Sequence, residues 1–168
     1  MKKVKWLFVL FIILGISTLV SFSGGESKEQ GSNEQKDIEV KVNNETISLN
    51  EDIEEIMKKI GEYKEYSESK SCLYEGFDRK YTYDGIVINT YPKGDKNYVS
   101  TIEVLSKDVI LSKNVKVGDS ANKIVEVFGE DYAEKEETYC TYEYGNYGIA
   151  FYFEDGLIDV IELYVINN

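Results

Sequence analysis

A chain of 168 residues with 19 basic and 31 acidic side chains carries a formal charge of -12, and its length suffices for one modest core without a metal or a disulfide framework. The acid excess disfavours nucleic acid and anionic membrane surfaces, whose phosphates it repels. Histidine is absent, which removes the commonest general base, the commonest transition-metal ligand and every Ser-His or Cys-His nucleophile arrangement.

Lys2, Lys3 and Lys5 form a positive leader to an apolar run over residues 6–20 that only Gly15, Ser17 and Thr18 interrupt. This is the pattern of an export signal. The small residues Ser21, Ser23, Gly24 and Gly25 suit a signal peptidase, with cleavage after Ser23 or Gly25. The run is also nearly long enough to span a bilayer, so an uncleaved anchor with its positive end inside is the alternative. Residues 1–25 therefore predict a domain outside the cytoplasm, secreted or membrane-anchored at the cell surface. Without those three lysines the mature chain holds 16 basic against 31 acidic residues, a formal charge of -15. Residues 26–37, ESKEQGSNEQKD, contain no apolar side chain and cannot offset the entropy of ordering, so they read as a polar, disordered tether. Any membrane contact runs through the N-terminal segment alone, if it stays uncleaved. Residues 38–168 are left as one domain.

Within that domain a hairpin over residues 38–42 turns at Asn43 and Asn44. Beyond it the chain matches itself at an offset of 68 residues: Ile47, Leu49, Ile56, Met57, Ile60, Gly61, Cys72 and Tyr74 fall on Val115, Val117, Ile124, Val125, Phe128, Gly129, Cys140 and Tyr142. Two copies of one unit are expected, over about 46–105 and 115–166. Each opens with a short strand, 46–49 or 115–117, and continues into a helix, capped by Asn50 in the first copy and by Asp119 or Ser120 in the second. Ile53, Ile56, Met57 and Ile60, and Ala121, Ile124, Val125 and Phe128, recur at helical spacing, and Gly61 and Gly129 stand where a left-handed cap ends a helix. Three β-rich runs follow each helix: 72–83, 86–91 and 98–105, then 139–144, 149–153 and 158–166. Asp84 and Gly85, Lys93 to Asp95, Tyr144 to Asn146, and Asp155 and Gly156 supply the hairpin turns between them. The fold class is α+β: two tandem helix-plus-three-strand repeats, an antiparallel sheet with helices packed on one face.

Those residues carry a resemblance. The strand, the helix ending in "IG" or "FG", and the strands closing on "FEDG" and "VIEL" resemble the tandem-repeat fold of the β-lactamase-inhibitor protein and of small outer-membrane assembly lipoproteins. "SCLYEGFDRKYTYDGIVINTYPKGDKNYVSTIEV" followed by "VKVGDSANKIVEVFGEDY" is similar to uncharacterised Gram-positive cell-surface lipoproteins. The likeness spans about residues 38–165. It implies the fold, and by analogy an inhibitor-like role against a secreted or surface enzyme, while folds of this kind serve many partners. Gly25 stands where a lipoprotein carries its lipidated cysteine, so lipidation is not expected.

Period-2 alternation gives the strands two faces. Ile86, Ile88, Ile102, Val104, Ile149, Phe151, Phe153, Ile161, Leu163 and Val165 read as the helix-facing core. The opposite face carries Asn89, Tyr91, Thr101, Glu103, Tyr152, Glu154, Glu162 and Tyr164. Tyrosines among carboxylates suit recognition, because a rigid ring supplies contact area at low entropic cost; the plainer alternative is ordinary cross-strand packing. Fourteen tyrosines in the chain favour recognition for the face as a whole, with Tyr91, Glu103, Tyr152, Glu162 and Tyr164 as binding residues. Cys72 and Cys140 are the only cysteines, and in an oxidising compartment they are compatible either with a disulfide or with two free buried thiols. A bond needs Cα atoms within about 7 Å, whereas equivalent strands of side-by-side copies stand roughly 14 Å apart. No catalytic residue, metal ligand set or cofactor motif is expected. The acidic clusters at Glu130 and Asp131, 134–137, and Glu154 and Asp155 lack calcium-loop spacing. The expected activity is thus an exported, noncatalytic binding module for a protein or cell-envelope partner. The alternatives are a carboxylate-based secreted hydrolase and a membrane-anchored structural envelope protein.

Overall fold

The computed structural model describes residues 39–166; the export segment, the tether and Ile38 lie outside them. In chain order the elements are β1 (Glu39–Val42), β2 (Glu45–Ser48), α1 (Ile53–Ile60), β3 (Glu65–Lys70), β4 (Phe77–Thr82), β5 (Ile86–Lys93), β6 (Lys96–Val104) and β7 (Ile110–Leu111). A 3-10 turn at Ser112–Asn114 leads on to α2 (Ala121–Phe128), β8 (Glu134–Lys135), β9 (Tyr139–Tyr144), β10 (Tyr147–Glu154) and β11 (Leu157–Val165). The architecture is α+β, with antiparallel strands throughout. Eight strands form one sheet in the order β3-β4-β5-β6-β11-β10-β9-β8, and β2-β1-β7 form a second. The last strands of the two halves, β6 and β11, therefore meet at the centre. No helix among the described residues is long and apolar enough to cross a membrane.

The helices form where the apolar spacing places them. Ile53 and Ile56 of α1 and Ile124 of α2 are buried against the sheet, with Met57, Ile60, Val127 and Phe128 packed around them. Glu54 and Glu55 in the first turn of α1 and Lys58 and Lys59 in its last complement the helix dipole. Gly61 and Gly129 end the two helices at φ of 90° and 83°, each N–H donating to the carbonyl four residues back at 2.9 Å. The inward strand positions are those of the alternation: Ile86, Ile88, Ile102, Val104, Ile149, Phe151, Ile161 and Leu163 are all inaccessible. Phe153 and Val165 are partly buried against the same cluster. Val40, Ile47 and Leu111 of the smaller sheet complete it.

Several local expectations are corrected. The cap of α1 is Asp52, whose Oδ1 accepts from the Glu54 N–H at 3.1 Å. Asn50 stands outside the helix at φ 59° and donates its backbone N–H to the Val99 carbonyl. Of the two residues expected to cap α2, Ser120 holds the position, though without a side-chain cap bond. The expected strand at 115–117 is reduced to a single bridge between Val115 and Leu111. The run 72–83 contributes only β4, because Ser71 closes a turn ahead of it. Its N–H donates to the Gly76 carbonyl at 3.0 Å, and its Oγ accepts from the Leu73 and Tyr74 N–H groups.

The gapless offset fails for the same reason. It holds for the helices, 53–60 against 121–128, but β4 and β9 begin 62 residues apart and β5 and β10, like β6 and β11, 61. Residues 61–76 separate α1 from β4, whereas only 129–138 separate α2 from β9; the surplus lies in the longer β3 and its longer turn to β4, where the second half has the two-residue β8. Cys72 and Cys140 are consequently not equivalent, nor are Tyr74 and Tyr142. Cys72 is exposed in the hairpin turn, Cys140 is buried in β9, and both are free thiols. Four strands lie between β4 and β9, a lateral distance of roughly 24 Å that no disulfide bridges.

Candidate functional site

The sheet face turned away from the helices is built by register. One row across the strands runs Val87, Glu103, Glu162, Ala150, Thr141 and Glu134. The next runs Lys80, Asn89, Thr101, Tyr164, Gly148 and Glu143. Tyr152 lies between Val160 and Tyr139. Adjacent members of a row are one strand spacing apart, roughly 4.8 Å. Glu103 and Glu162 are thus direct neighbours of like charge, an arrangement that weakens a sheet unless something compensates it.

The predicted residues Glu103, Tyr152, Glu162 and Tyr164 come together on this face. The Asn89 Nδ2 donates to Glu103 at 3.1 Å, and the Tyr152 hydroxyl donates to Glu162 at 2.9 Å. Tyr164 lies across Gly148 so closely that an added Cβ there would stand 2.1 Å from its ring. That glycine is what lets the ring lie flat on the neighbouring strand. Around Ala150, which is itself buried, Glu134, Tyr139, Thr141, Tyr152, Glu162 and Tyr164 enclose an open hollow of about 500 Å³. The Tyr139 hydroxyl donates to Glu134 at 2.6 Å, and the Tyr139 and Tyr152 rings are 6.1 Å apart.

Tyr91 belongs to a separate cluster. Its ring lies 5.1 Å from that of Tyr74 and 6.1 Å from that of Tyr98. Its hydroxyl donates to Asn50 Oδ1 at 3.0 Å, and Asn50 Nδ2 donates on to the Tyr147 hydroxyl at 3.2 Å. This network ties β5, the segment before α1 and β10 together, so Tyr91 has a packing role of its own. Beside it the β3–β4 hairpin walls a cleft of about 410 Å³ lined by Ser67, Ser69, Tyr74, Lys80, Asn89 and Tyr91.

Electrostatically the face presents carboxylates and protonated phenols. Burial and the hydrogen bond to Glu162 push Tyr152 up to about 12. The bond to Glu134 does the same for Tyr139, also to about 12. Tyr164 is raised by burial and then by Glu143, Glu162 and Glu134. At neutral pH these hydroxyls are donors and the carboxylates acceptors, so the hollow offers negative charge framed by aromatic rings. Among the described residues no group of three His, Cys, Asp or Glu side chains could hold a metal ion.

Sequence reasoning missed Tyr139, Thr141, Ala150 and Glu134. The first two were accessible, since Tyr139, Thr141 and Glu143 alternate with the buried Cys140 and Tyr142 along β9. Glu134 sits in a two-residue strand with no periodic signal. No protein-family model, curated protein or solved structure matches the chain.

Proposed function

We propose that this chain is an exported, noncatalytic binding module that docks a protein or cell-envelope partner on the sheet face opposite its helices. The observation that carries the reading is the register that gathers Glu103, Tyr152, Glu162 and Tyr164 on one face, outside the core. A half-exposed tyrosine supplies apolar area and a directed hydroxyl together. The charged leader and apolar run at residues 1–25 support a location outside the cytoplasm. The two halves are copies of one unit that diverged at the β3–β4 hairpin. Supporting this, α1 and α2 have eight residues each, β5 and β10 eight, and β6 and β11 nine. Each half also sets a tyrosine after its helix 5.2 Å from a buried strand tyrosine, Tyr63 on Tyr81 and Tyr132 on Tyr142.

The test is a crosslinking capture from the producing cell's envelope and medium, with the full chain and a Tyr152→Lys, Tyr164→Lys double variant as baits. A species held by the native chain and lost with the variant is the expected result. The same species on both baits, or none on either, would overturn the reading.

A further inference from the structure

The hollow over Ala150 has a composition that selects its occupant. Three rings, Tyr139, Tyr152 and Tyr164, and two carboxylates, Glu134 and Glu162, surround a small floor residue. The charged groups that bear on the three phenols are Glu134, Glu136, Glu143 and Glu162, all negative. The neighbouring cation, Lys135, turns to the other side of the sheet, where its Nζ sits 4.4 Å over the Tyr132 ring. Glu103 adds a further negative charge directly beside Glu162. Each carboxylate has one hydrogen bond from a neutral donor, Tyr139 to Glu134 and Tyr152 to Glu162, and a carboxylate has acceptor capacity for more. The site is therefore a negative pocket walled by π faces with no positive group among the described residues bearing on it, and what complements it is an organic cation.

Resting on the docking face proposed above, we infer that this hollow receives an arginine side chain of a protein partner, its guanidinium paired with Glu134 and Glu162 and laid against the tyrosine rings. Arginine fits better than lysine because its planar fork serves carboxylates in pairs and its weakly hydrated face stacks on aromatic rings. The remaining contacts of the partner then fall on Glu103 and the rim of the hollow, and the partner presents a basic surface to an acidic one, which also speeds encounter.

The experiment is an NMR titration of the full-length chain, held in a non-ionic detergent, with N-acetyl-Gly-Arg-Gly-amide. The readouts are the Ala150 methyl and the ring resonances of Tyr139, Tyr152 and Tyr164. N-acetyl-Gly-citrulline-Gly-amide provides the same shape without charge. The arginine peptide is expected to saturate with a Kd on the order of 1–10 mM, and the citrulline peptide to bind about tenfold more weakly or not at all. Glu162→Gln and Glu134→Gln should each weaken the arginine peptide about fivefold or more while leaving resonances of the helix-facing core unmoved, and added salt should weaken it further. An equal response to both peptides, no response to either, or unchanged affinity in both glutamine variants would overturn the inference. The capture experiment separates the two ideas: a partner captured through Tyr152 and Tyr164 without an arginine response removes this inference alone. An arginine response without capture removes the docking reading and leaves the pocket.

Discussion

The two halves of the eight-stranded sheet share a frame and spend it differently. Where the first half pairs Val87 with Glu103, the second pairs Gly148 with Tyr164, one step of 61 residues away. Inside, Thr90 of β5 stands where Phe151 stands in β10. Thr90 is buried and donates its hydroxyl to the Arg79 carbonyl at 3.3 Å. Phe151 joins Phe128 and Tyr142 in an aromatic cluster with centroids 5.2 to 6.2 Å apart. At the outer edge, the first half extends a six-residue β3 and the second a two-residue β8. The three inner strands of each half match in length, yet each half is free to vary what lies on either face, because alternation separates the residues that build the core from those that meet solvent.

Substitutions that level these differences should test them. The largest effect is expected from Phe151→Ala, which opens a cavity in the aromatic cluster and should cost about 3–5 kcal/mol. Thr90→Ala should cost only about 1 kcal/mol, the worth of one hydrogen bond. Urea denaturation of the pair would check the ratio, and equal losses would show that the two halves share one undifferentiated core. Gly148→Ala should come next, at about 1–3 kcal/mol, because its Cβ collides with the Tyr164 ring. The Tyr164 resonances should move with it, and a neutral result would mean that the ring swings away freely. The caps should follow. Asp52→Ala should cost about 1 kcal/mol and Ser120→Ala a few tenths, since only Asp52 makes a cap bond.

Asp52 also carries a pH signature. The hydrogen bond from Lys96 holds its carboxyl below the ordinary 3.8. Its contribution is therefore complete above about 3.8 and is lost as pH falls through the lower folded value. The Tm gap between the native chain and Asp52→Asn should accordingly close in that acid range and stay constant above it. Smallest in energy is a difference of reactivity. Exposed Cys72 should react with iodoacetamide in the native protein, while Cys140, its thiol pushed up to about 11 by burial, should react only on unfolding. Mass spectrometry before and after denaturant would read one adduct and then two.

Much of the frame was legible because it rests on strong periodicity. Ile86 and Ile88, or Ile161 and Leu163, fix a strand and its inward face together, and by the same alternation Glu103, Tyr152, Glu162 and Tyr164 follow on the other. The glycines after Ile60 and Phe128 marked the helix ends because little else tolerates that backbone. What stayed hidden lacked such signals. β3, EYSESK, is exposed along its whole length, so neither face had to be apolar, and its pairing with β4 is visible only in three dimensions. Cys72 and Cys140 aligned in sequence through an offset that the helices obey and the strands do not, since a longer edge strand and turn leave no trace in residue type. The side-by-side meeting of β6 and β11 rests on contacts distant in sequence, which local pattern does not encode.

That central meeting governs the order in which the molecule can be built. β6 ends at Val104, yet its partner on the open side, β11, runs from Leu157 to Val165. As the chain is threaded out from its N-terminus, β3 to β6 can pair as a meander while the flank of β6 waits for the polypeptide that will cover it. Only after residue 165 has emerged can the seam zip, so the first half spends that interval with an open hydrogen-bonding edge at what becomes the middle of the sheet. Assembly should therefore be late and cooperative, and a chaperone shielding the β6 flank until the seam closes would act on its most vulnerable surface.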